Sequence, residues 1–315
     1  MAAAHRLLTV IAVLAFVMLS VASPRAIPKF SAWSAPVNLG LMVNSPFLDG
    51  GPTVSKDGLT LYFHSTRPEG FGAQDIWVSQ RPTRDALWRA PTNLGSPINT
   101  GRMESVPALS RDEHWLFFNS DRPGSLGSGD IWASWRANVH DDFGWHPPIN
   151  LGEGVNSVFN EVGAGYFEND DAGIPVLFFG STRPGGLGGV GTDIYVSQLV
   201  NGAFGPAILV PELSSPQLDA RPTPRFDGLE LFLGSARVGT LGGLDLWVTT
   251  RNTTGEAWSA PVNLGAVVNT ASGDQQPYIS SDRQLLFFGS DRPGGFGGLD
   301  LYFSGRAKID DESFH

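Results

Sequence analysis

Five carboxylates recur at one equivalent place in the chain: Asp49, Glu104, Glu161, Asp219 and Asp274. A proline follows three residues after each, except after Glu161. Five acids gathered at one point could bind a cation or the hydroxyls of a sugar. The same regularity favours a structural task, in which each acid caps a loop or pairs with an arginine of a neighbouring unit. A second recurring set is S-x-R, a glycine-rich loop, then D-[IL]-[WY]. Its arginines are Arg67, Arg122, Arg183, Arg237 and Arg292, and its aspartates are Asp75, Asp130, Asp193, Asp245 and Asp300. Each Arg and Asp flank a loop between two antiparallel strands, so an ion pair across the loop base is expected in every copy.

The remaining chemistry is sparse. His64, His114, His140 and His146 show no metal-ligand spacing, and no metal site is expected. There is no G-x-S-x-G, H-E-x-x-H, phosphate loop or dinucleotide fingerprint, and no cofactor is expected. The aromatics Trp77, Trp132, Tyr195, Trp247 and Tyr302 could form a sugar platform, but their strict recurrence predicts inter-blade core. Acids also collect where the repeat is irregular. Asp141 and Asp142 lie in a lengthened link, and Glu168, Asp170 and Asp171 in a lengthened turn. Loops on a rigid frame commonly bind partners, so these five are the expected contact residues.

The elements that position these residues follow from the spacing. The recurring aspartates are 55, 63, 52 and 55 residues apart. A third landmark, W-x-x-P-x-N-L-G, begins at Trp33, Trp88, Trp145 and Trp258, with a degenerate copy at Phe204. Each unit reads as four short strands; in the first they are Gly51–Ser55, Leu59–Ser65, Asp75–Gln80 and Trp88–Leu94. Four antiparallel strands at this period describe a propeller blade. The chain starts with a fourth-type strand, Trp33–Leu39, and ends with a third-type strand, Asp300–Ser304. Pairing them closes a ring and removes an open edge. The expectation is an all-β chain with a single five-bladed β-propeller of four-stranded antiparallel blades over residues 33–306.

The chain has 315 residues, 41% hydrophobic and 17% charged, with 39 Gly, 23 Pro and no Cys, and a net charge of −10. Disulfides are excluded, and the acidic balance argues against nucleic acid and anionic membrane surfaces as partners. His5 and Arg6 precede an apolar run, Leu7–Val21, that ends in small residues at Ser20 and Ala22. Residues 1–22 therefore read as a secretory signal peptide, or as an uncleaved anchor, and nothing later approaches a membrane span. Residues 23–32 form a lead-in and 307–315 a tail. A periplasmic or secreted location is expected, with no integral membrane domain once the signal is removed.

The string Ser290–Tyr302, preceded by Asp274-x-x-Pro277 and Ser280-x-Asp282, resembles the TolB-like, WD40-like β-propeller repeat of bacterial exported proteins. The resemblance covers nearly all of residues 33–306. It implies a periplasmic or surface-exposed scaffold. The OmpA-like domain of many relatives is not expected in the nine residues after Arg306. The functional expectation is an exported, non-catalytic binding or scaffold propeller that engages a protein or a cell-envelope glycan. The alternative is a glycoside-cleaving enzyme using carboxylates at the central channel, which needs acids in unlike environments.

Overall fold

The computed structural model describes residues 29–169, 173–187 and 191–309; the expected signal peptide lies outside them. The chain forms five antiparallel sheets arranged in a ring, a five-bladed β-propeller. Blade one consists of Asp49–Val54, Thr60–Ser65, Asp75–Gln80 and Thr92–Asn93, from axis to rim. Blade two begins at Glu104–Leu109, blade three at Glu161–Asn169, blade four at Asp219–Pro224 and blade five at Asp274–Ile279. These innermost strands touch one another in sequence around the axis, and the last touches the first.

The ring closes as the landmark order requires. Val37–Asn38 pairs with Asp300–Gly305, placing Val37 opposite Phe303 and Asn38 opposite Tyr302. A second antiparallel pair joins Lys29–Phe30 to Lys308–Ile309, so the lead-in and the tail meet instead of hanging free. The rim strands are two residues long, shorter than the expected Trp88–Leu94 type. Their Asn-Leu-Gly motif leaves the ladder at once. The asparagine turns its amide to the loop aspartate, as Asn93 does to Asp75 at 2.8 Å, while the glycine takes a left-handed turn, φ 65° at Gly95.

The acid-x-x-Pro motif has an equally local cause. In every blade the register between the first two strands slips by a bulge. The residue two beyond the acid has positive φ there, and the proline sits in the bulge, where its missing N–H costs the ladder nothing. Between blades lie five apolar clusters. One joins Tyr62, Ile76 and Val78 of blade one to Leu116, Phe118 and Trp132 of blade two. Trp77, Trp132, Tyr195, Trp247 and Tyr302 are all buried in these clusters, as their recurrence predicts.

Candidate active site

The five repeated arginines do bind carboxylates, but not the expected ones. Arg67 pairs with Asp49 at 2.5 Å, Arg122 with Glu104 at 3.2 Å and Arg183 with Glu161 at 3.1 Å. Arg237 pairs with Asp219 at 2.6 Å and Arg292 with Asp274 at 2.5 Å. All five acid side chains are 0% exposed. Each guanidinium also lies over the aromatic ring of its own third strand, at 4.9–5.4 Å. Of the two readings of these acids, pairing with an arginine is the one the structure shows, except that the arginine belongs to the same blade and not to a neighbouring one. Asp49, Glu104, Glu161, Asp219 and Asp274 are internal clamps, each neutralised by an arginine of its own blade.

The expected Arg67–Asp75 type of pair is corrected with them. Asp75, Asp130, Asp245 and Asp300 accept backbone N–H groups of the glycine-rich loop, such as that of Leu126 by Asp130 at 2.7 Å, and the rim asparagine. A tight loop leaves its amides without strand partners, and the aspartate supplies them. Asp193 is the exception. Its rim strand, Ile208–Leu209, lacks the asparagine, and its Oδ1 is buried without a partner. Burial raises its carboxyl above the ordinary range.

The opposite face carries the a second repeated device, formed where the first two strands turn and where the third strand ends. Arg81, Arg136, Arg251 and Arg306 follow the third strands of four blades. Each stacks on the Trp of the W-x-x-P motif at 4.1–4.5 Å. Each donates from Nε to the carbonyl of the turn residue between the first two strands: Gly58, Glu113, Gly228 and Arg283. These turn residues have positive φ, 63° at Glu113. A glutamate thus occupies a backbone position that a glycine fills in blades one and four, at a cost of about 1 kcal/mol or more. Backbone strain of this kind clusters at functional sites.

Glu113 faces a cavity of about 310 Å³ between blades one and two. Asp57, Gln80, Arg89, His140 and Asp142 also line it. One carboxylate oxygen of Glu113 accepts the N–H of Lys56, the residue before Asp57. Burial, reinforced by the charge of Asp57, pushes the Glu113 carboxyl above the ordinary glutamate range. Asp57 is exposed; its Oδ1 accepts Ser55 Oγ at 2.6 Å and the N–H of Leu59 at 2.9 Å. The cavity therefore joins two carboxyl groups in unlike settings, one half-buried and protonated more readily, one solvated and anchored.

The lengthened link closes one side of this cavity. Asp142 was expected at a contact surface, yet it is buried. It accepts Arg136 Nη1 at 3.0 Å, Gln80 Nε2 at 2.6 Å and the Tyr62 hydroxyl. An acid beside a buried arginine is drawn inward because it offsets the buried charge. Burial and the Asp142 charge hold the Tyr62 phenol protonated as a donor. Asp141 is exposed and receives the Phe143 N–H at 3.1 Å. Glu168 is half-buried and accepts the Tyr166 hydroxyl at 3.3 Å; Asp170 and Asp171 lie outside the described residues. Sequence reasoning missed Glu113. Its signal was the alignment of Ser110-Arg111-Asp112-Glu113 with Ser55-Lys56-Asp57-Gly58, where an acid replaces the turn glycine.

No protein family matches the sequence, and no curated protein does. Solved structures match over most of the chain. An α-L-arabinofuranosidase from Lactobacillus brevis is 13% identical, with 87% of this chain and 94% of that chain covered, at a TM-score of 0.58. An endo-arabinase from Bacteroides thetaiotaomicron VPI-5482 is 16% identical, over 90% of this chain and all of that one, at 0.55. A GH43_1 enzyme from Xanthomonas citri is 13% identical, over 89% and 96%, at 0.57. At these identities the likeness is one of fold, and it bears out the five-bladed propeller that the spacing of the repeats implied. The expectation of a non-catalytic scaffold is corrected by the same matches, because these neighbours of the fold are enzymes, glycosidases among them, and not TolB-like scaffolds. Among the described residues no helix is long and apolar enough to cross a membrane.

Proposed function

We propose that the protein cleaves glycosidic bonds in the cavity between blades one and two. Glu113 serves as the proton donor to the leaving oxygen, and Asp57 as the ionised partner that activates water or attacks the sugar. The carrying observation is the pairing of two carboxyls of unlike exposure in one cavity, with Glu113 raised by burial and by Asp57. Glycoside hydrolysis needs this division of labour between an acid and a base or nucleophile. Arg89, Gln80 and His140 at the wall supply donors suited to sugar hydroxyls. The named neighbours, an arabinofuranosidase and an endo-arabinase among them, make arabinose-containing glycans the first substrates to try. The signal-like sequence of residues 1–22 supports action outside the cytoplasm, on an envelope or external glycan.

The test is hydrolysis of aryl glycosides and of branched and debranched arabinan by the purified protein. Glu113→Gln and Asp57→Asn should each lower kcat roughly 10²–10⁴-fold with the fold retained. The rate should fall as pH rises through the Glu113 titration, since the donor must carry its proton. A wild-type protein inactive on the whole panel, or variants of undiminished rate, would refute the assignment.

A further inference from the structure

The five bulge positions around the axis hold Gly51, Val106, Gly163, Arg221 and Gln276, all with positive φ. Arg221 is the one charged residue among them. It is 3% exposed, and it reaches across the axis from blade four to blades one and two. Its Nη2 donates to the carbonyls of Pro52 at 2.8 Å and Pro107 at 3.1 Å. Its Nε and Nη1 have no partner. Nη1 lies so close to Gly51 that a Cβ there would stand 2.8 Å away. No carboxylate among the described residues pairs with it. The nearest acid in sequence, Asp219, is committed to Arg237.

His64 does not offset the charge. Burial, with the Arg221 charge behind it, lowers its pKa to about 3. The ring is neutral, and its Nδ1 accepts the Val106 N–H at 3.2 Å, which puts the ring proton on Nε2. The Gln276 Oε1 is also buried and unpaired. The axis thus holds a full positive charge with two unused donors, ringed by neutral groups. A buried charge without a counter-charge destabilises the fold. The strands around it are not sealed, since Val162, Ala220 and Gln275 are half-buried.

We propose that the axis of the propeller binds one small inorganic anion of halide type on the Arg221 guanidinium, as a structural counter-ion. One uncompensated charge calls for a monovalent ion. Close packing around Gly51 and His64 favours a compact one over a carboxylate on a sugar. This site is separate from the Glu113 cavity and stands whether or not that cavity hydrolyses glycans.

The experiment is thermal unfolding of the full chain in sodium gluconate, titrated with sodium chloride at constant ionic strength. Chloride should raise the midpoint saturably, by roughly 2–4 °C, and bromide should do the same. Arg221→Met should abolish the chloride response. In case that variant fails to fold, the ³⁵Cl NMR linewidth is measured on the wild-type protein. Excess broadening, reversed by bromide, is expected. A chloride response that persists in Arg221→Met, no broadening by the wild type, or stabilisation by acetate or glucuronate but not chloride would overturn the proposal.

Discussion

The two faces of the propeller use arginine and carboxylate differently. On the face where the inner strands begin, the arrangement repeats five times: arginine, buried acid, aromatic ring. Each of these arginine–acid pairs is closed within its own blade, and a pair saturated in this way has no charge left for a substrate. On the opposite face the repeat is broken. Leu199 stands where four blades have arginine, Glu113 and Arg283 where others have glycine, and the link through Asp142 belongs to one blade only. Symmetric acids share one environment, whereas catalysis needs acids whose environments differ. The regular face holds the ring together, and the irregular face is where the proposed chemistry lies.

The largest effect expected from this contrast is on stability. Arg292→Ala strands Asp274, which is 0% exposed, and should cost about 3–5 kcal/mol in urea unfolding. The surface pair of the other face, Arg84 and Asp282 at 2.7 Å, is 47% and 28% exposed. Arg84→Ala should therefore cost no more than about 1 kcal/mol. Equal losses in the two variants would erase the distinction between the faces. Between these extremes lies Asp142→Asn, which weakens one buried charged contact of Arg136 and should cost roughly 1–3 kcal/mol. Arg136 also holds the Glu113 carbonyl at 3.0 Å, so the same variant should lower the hydrolysis rate. A destabilised Asp142→Asn protein with an unchanged rate would separate the link from the site.

The blades were legible because each landmark answers a backbone need. The acid-x-x-Pro run marks a bulge, Asn-Leu-Gly marks the exit from the rim strand, and the split last blade follows from the order of motifs. The partners were less legible. Arg67 and Asp75 are eight residues apart and look like a hairpin pair, while Asp49 is more distant in the chain. The register decides otherwise. Ser65 is opposite Asp49, and Arg67, two residues on, turns back over the Trp77 ring toward that acid. Asp142 was misread for a related reason. Acids in a lengthened link resemble solvated charge, and only the fold brings Arg136, Tyr62 and Gln80 around one of them. Arg221 and Glu113 were both visible as misfits within their aligned positions, but a charged residue in a turn or bulge becomes informative only once its burial is known.

The smallest effect has the most informative sign. Glu113→Gly removes a side chain from a position with φ 63°, where glycine is unstrained and blades one and four already use it. The wild-type carboxyl titrates above the ordinary glutamate range, chiefly through burial, so its ionised form fits the fold worse than it fits the unfolded chain. A raised carboxyl contributes its stability below the unfolded value, about 4.3. That contribution is lost as pH rises through the folded value. At neutral pH strain and ionisation act together, and Glu113→Gly should be more stable than the wild type by roughly 0.5–1 kcal/mol. The advantage should shrink as pH falls into the glutamate range, while the variant loses hydrolysis at every pH. A residue that costs stability yet is required for turnover has a functional task. If the variant is instead less stable at all pH values and equally active, Glu113 merely ties two turns together through the Lys56 N–H, and the irregular face loses its claim to the chemistry.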